Sequence, residues 1–93
     1  MPLQLPLPER LSNEGWKVKI RDRERVEPPH ATVIRGNRCW RWDLRSRQFM
    51  DAQPDTREIP SQLLTVLTTH HADLVRHWDA AYPENPVGPR EED

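Results

Sequence analysis

The sequence predicts a small α+β domain: an antiparallel sheet of three to four strands packed by a C-terminal amphipathic helix, with extended proline-containing tails. Three observations carry this. Residues 16–21 alternate strictly, with Trp16, Val18 and Ile20 on one side and Lys17, Lys19 and Arg21 on the other, the pattern of a half-buried strand. Two β-rich runs flank Gly36-Asn37, a two-residue turn signal that needs positive φ at its centre. From about Pro60 onward, Leu64, Leu67, His71, Leu74, Val75, Trp78 and Tyr82 recur at spacings of three and four, which lays one apolar stripe along a helix.

The chain has 93 residues, enough for one small domain. Apolar residues make up 34%, below the usual share, so the core is small and its four tryptophans must supply much of it. Residues 1–13 contain Pro2, Pro6 and Pro8 and read as an extended tail or edge segment. Residues 14–82 form the expected domain. Asn13-Glu14-Gly15 is a turn before the first strand, and a charged connection from Asp22 to Glu27 closes at Pro28-Pro29.

In the hairpin, a two-residue Gly36-Asn37 loop pairs Arg35 with Arg38, Ile34 with Cys39, Val33 with Trp40, Thr32 with Arg41, Ala31 with Trp42 and His30 with Asp43. Ala31, Val33, Trp40, Trp42 and Leu44 then share the core face. His30, Thr32, Arg41 and Asp43 share the other, with Ile34 and Cys39 near the turn. A slip of one residue would exchange the faces. Gln48-Phe49-Met50 reads as a short fourth strand. Pro60 suits the first helical position and Tyr82-Pro83 the last, with a kink near His70-His71 allowed. His71 falls within the apolar stripe. Residues 83–93 form a disordered acidic tail whose prolines recur every third residue.

Net charge is −1 and conceals an asymmetry. Residues 17–47 hold ten Lys/Arg and four Asp/Glu; residues 51–93 hold three Arg and nine Asp/Glu. The halves either neutralise each other or offer a basic face to nucleic acid or an acidic partner. The single cysteine, Cys39, excludes an intrachain disulfide. The proline-broken N-terminus lacks the basic start of a signal peptide and the length of a membrane span, so a reducing cytoplasm is expected and a membrane partner is not.

Three constellations could carry chemistry. His30 and Asp43 face each other at the open end of the hairpin, with Arg41 nearby, an arrangement used in acid–base catalysis and equally in structural contacts. Arg35, Arg38, Arg41, Arg45 and Arg47 supply guanidinium groups for phosphate or for an acidic protein, which includes the chain's own acidic half. His70, Asp73 and His77 lie along one flank of the helix and are metal-ligating types, although three ligands on one helix make a weak site. No cofactor motif stands out, and no cofactor is expected.

At Glu27-Pro28-Pro29-His30 the chain resembles a family of small prokaryotic proteins defined only as a domain of unknown function, whose hallmark is Glu-Pro-Pro-His-Val-His-Val. The likeness extends over residues 16–82 through the order of strands and the C-terminal helix with its Trp78. It implies an α+β domain and a component of a toxin–antitoxin-like pair. The family's second histidine corresponds to Thr32, so only His30 carries over. The expectation is a non-enzymatic protein-interaction module whose partner is another small protein or a second copy. The alternative is a nucleic-acid-directed toxin, binding or cleaving RNA with His30 and the hairpin arginines.

Overall fold

Four runs of extended residues meet in one antiparallel sheet in the computed structural model of the chain, and their order in space is their order in sequence. The structure describes residues 3–21 and 27–88, apart from the side chain of residue 3. β1 (Leu3–Gln4) pairs with β2 (Trp16–Ile20), β2 with β3 (His30–Arg35), and β3 with β4 (Arg38–Asp43). α1 (Glu9–Asn13) lies between β1 and β2, and α2 (Ser61–Thr69) and α3 (His71–Ala81) follow the sheet.

The β3–β4 register is the expected one at all six pairs, from His30↔Asp43 to Arg35↔Arg38. Gly36 has φ 60° while Asn37 keeps a negative φ, which makes the turn type II′ and explains glycine at its first central position. Alternation then decides the faces. Trp16, Val18, Ile20, Ala31, Val33, Trp40 and Trp42 are buried with Leu63, Val66, Leu67, Leu74 and Trp78 of the two helices. The rings of Trp16 and Trp40 lie 5.8 Å apart and those of Trp78 and Tyr82 4.3 Å apart. Each indole buries roughly 150–250 Å², which offsets the shortage of aliphatic residues.

Three expectations are corrected. Gln48-Phe49-Met50 is not a strand of the sheet. It folds back along β4 through a single bridge, Trp42↔Phe49. The ladder stops there because Asp51 Oδ2 accepts the Arg41 N–H at 2.8 Å, where another strand would have to bond. The fourth strand is β1 instead.

Residues 1–13 are not extended throughout. Pro8 precedes α1, where its missing N–H costs nothing, and Gly15 at φ 90° follows its end. Leu5 and Leu11 are buried, so the folded unit begins well before residue 14.

The kink allowed near His70-His71 is present as a full break: α2 and α3 meet at His70, with φ −101° and ψ 17°. The hydroxyls of Thr65 and Thr68 donate back to the carbonyls of Ser61 and Leu64, a pairing that bends helices, and β-branched residues crowd the last turn of α2. Leu63, Val66 and Leu67 form the buried stripe of α2, and Leu64 is 36% exposed. His71 is half-buried.

The tail is not free from residue 83. Val87 is buried, its N–H donates to Asp79 Oδ1 at 2.8 Å, and Asn85 Nδ2 donates to the Glu27 carbonyl at 2.7 Å. Most of the charged connection (residues 22–26) and the proline-spaced end of the tail (89–93) lie outside the described residues. Among the described residues no helix is long and apolar enough to cross a membrane.

Candidate functional site

His30 opens β3 directly after Pro28-Pro29, and the diproline fixes its surroundings. Its Nδ1 lies 2.9 Å from the Pro28 carbonyl; since a carbonyl only accepts, this nitrogen carries the proton. The ring packs 5.5 Å from that of Trp78, and the residue is 2% exposed. Period-two alternation places His30 opposite the core face, yet Trp78 of α3 reaches it at the end of the sheet. Asp43 is the backbone partner of His30. Its carboxylate, however, accepts the N–H groups of Arg45 at 2.7 Å and Ser46 at 3.1 Å, capping the turn after β4. Among the described residues, Glu27 Oε1 lies 4.0 Å from His30 Nε2.

The hairpin arginines are held by the chain itself. Arg41 bonds Asp51 at 2.8 Å and Glu27 at 3.2 Å. The Asp51 hydrogen bond holds the Arg41 guanidinium above its ordinary range, against an opposing effect of burial, and Glu27 adds to it. The same Arg41 contact lowers the Asp51 carboxyl below its usual range. Arg38 pairs with Glu58 at 2.6 Å. Arg35 donates to the Glu14 carbonyl at 3.0 Å and lies 5.3 Å over the Trp16 ring. The like charges of Arg35 and Arg38 are thus drawn to different partners. Arg45 donates to the carbonyls of Val87 at 2.7 Å and Pro86 at 2.8 Å, strapping the C-terminal segment down. Arg47, at φ 60°, lines a groove beside Phe49.

The helical flank does not assemble as a metal site. His70 Nδ1 lies 3.3 Å from Asp73 Oδ2, and Arg76 bonds the other oxygen of Asp73. These two interactions, His70 first, hold the Asp73 carboxyl below its usual range. His77 is exposed. Among the described residues no group of three His, Cys, Asp or Glu could hold a metal ion.

Two surfaces remain. On the outer face of the sheet a dent of about 430 Å³ is lined by His30, Thr32, Cys39, Arg41 and Arg21 among others. Thr32 is 3% exposed, and beside it runs the side of β2 that carries Lys17 and Lys19. Among the described residues Lys17, Lys19 and Arg21 have no carboxylate partner. The alternation of β2 displays these three cations in the sequence; the arginine-rich hairpin draws attention away from them. A second groove of about 610 Å³ runs between Trp42, Phe49, Met50, Ala52 and Leu64, with Arg47 and Asp51 also lining it, and Asp51 lines the dent as well. The rings of Trp42 and Phe49 meet edge-on at 4.8 Å. Leu64 is legible as part of an apolar stripe, but within α2 it lies on the flank of the face that Leu63, Val66 and Leu67 bury.

The chain matches no family model, no curated protein and no solved structure.

Proposed function

We propose that the chain is a non-enzymatic protein-interaction module that docks a partner in the groove of Phe49, Met50, Ala52 and Leu64. One observation carries this: the apolar groove adjoins a helix without charge. None of the nine residues of α2 is Asp, Glu, Lys or Arg, in a chain of which 31% is charged. Ser61, Gln62, Leu64, Thr65, Thr68 and Thr69 are its exposed side chains. Depletion of charge with enrichment of aromatic residues and Met marks the core of protein interfaces. The partner's surface is therefore apolar and uncharged where it meets α2, because burying an unpaired charge against this helix is costly. A small protein of a toxin–antitoxin-like pair, met in a reducing cytoplasm, is one such partner.

The alternative, an RNA-directed toxin acting through His30 and the hairpin arginines, draws less support. His30 is packed against Trp78, and Arg35, Arg38, Arg41 and Arg45 would each have to leave a partner. Affinity capture from the native host tests the proposal, with wild type beside Leu64→Asp and both folds checked by circular dichroism. The expected result is one protein retained in stoichiometric amount by wild type and absent with Leu64→Asp. Recovery of nothing by folded wild-type bait at low salt would overturn it.

A further inference from the structure

The outer face of the sheet carries an independent site. We infer that it binds the sugar–phosphate backbone of nucleic acid, without reading sequence, along Lys17, Lys19 and Arg21 with Thr32 beside them. These cations alternate with Trp16, Val18 and Ile20, whose burial sends all three heads to the outer face. Successive heads are rooted roughly 6–7 Å apart, so the row extends over roughly 13 Å. That is too long for one small anion and suits a linear run of phosphodiesters.

The neighbouring strands complete the face. Lys19 is paired with Thr32, and Thr32 with Arg41, so three strands set these residues in one line across the sheet. The Thr32 hydroxyl lines the dent, and among the described residues it has no hydrogen-bond partner. Phosphate oxygens accept from such a hydroxyl as readily as from Lys and Arg. Among the described residues, the carboxylates beside the row are engaged by other groups. Asp51 and Glu27 are bonded by Arg41, and Asp43 caps its turn.

The same geometry argues against an acidic peptide. Extended peptides add to sheet edges; the β4 edge is closed by bonds from Met50 N to the Arg41 carbonyl and from Asp43 N to the Gln48 carbonyl, and β1 covers the edge of β2 through Leu3↔Ile20, Gln4↔Lys19 and the bond from Leu5 N to the Val18 carbonyl. The open surface is the face, and it carries no aromatic side chain for stacking on bases. Contact is therefore with the backbone, and sequence preference is not expected.

Fluorescence anisotropy tests this with labelled poly(U) and a labelled mixed-sequence DNA duplex, with polyglutamate as competitor. With three phosphates neutralised, affinity falls roughly twenty- to fortyfold between 50 and 200 mM salt. Lys17→Gln/Lys19→Gln, which keeps the strand pattern, removes most of the affinity and flattens the salt slope. Arg76→Gln, on α3 with its guanidinium bonded to Asp73, leaves both unchanged. The inference is overturned if folded wild type binds neither strand at 50 mM salt, or if the double variant binds like wild type. Displacement of the strand by polyglutamate at equal charge concentration also overturns it, since the face would then serve an acidic protein. Leu64→Asp is expected to bind nucleic acid normally, which separates this site from the groove.

Discussion

His30 illustrates how one residue is assigned by its neighbours. Its ring packs on Trp78 and donates to the Pro28 carbonyl. His30→Ala therefore lowers unfolding free energy by about 1–3 kcal/mol, the range for removing a buried hydrogen bond along with the packing around it; urea denaturation measures it. A catalytic histidine would instead leave stability nearly intact. Asp51 makes a pH-dependent contribution. Its carboxyl is held below the unfolded value of about 3.9, so the stabilisation is present above that pH. It disappears as pH falls toward the folded-state value. Asp51→Asn should weaken the fold at pH 6 and flatten the dependence of stability on pH below about 4, as measured by urea titrations across that range. Arg47 sits at φ 60°. Glycine there removes a left-handed penalty of roughly 1–2 kcal/mol and adds a backbone-entropy cost of roughly 0.5–1 kcal/mol. Arg47→Gly should thus be neutral or slightly stabilising in thermal melts.

At the scale of elements, periodicity decides what is legible. The hairpin can be read pair by pair, because Gly36-Asn37 and the alternation of Val33, Trp40 and Trp42 agree on one register. The helical stripe is legible in kind but offset: it contains Leu63 and Val66, and Leu64 lies outside. At about 100° per residue Leu63, Leu67, Leu74 and Trp78 share one face across the break at His70, and Leu64 falls on its flank. The N-terminal segment is misleading in the sequence because its prolines dominate the composition. Pro8 stands where proline is tolerated, just ahead of α1, and the burial of Leu5 and Leu11 depends on contacts distant in sequence. Leu11→Ala should cost about 2–4 kcal/mol, the usual range for a fully buried leucine, in the same denaturation assay. A detached N-terminal segment would give no change.

At the scale of the molecule, the basic hairpin and the acidic half meet. Arg38 with Glu58 and Arg41 with Asp51 join them, so the charge asymmetry is largely a property of the fold. The hairpin arginines are visible in the sequence as cations, and no local pattern announces which carboxylates occupy them. What the pairing leaves outward is a row on β2 and a largely apolar groove beside the uncharged helix α2. The groove carries the central functional claim. Its most direct test is titration of the captured partner, by calorimetry, into wild type and into Leu64→Asp. A charge buried without a partner at this point should weaken binding at least about a hundredfold, near 3 kcal/mol, while both proteins unfold with similar free energies. Equal affinity for the two would contradict docking in the groove.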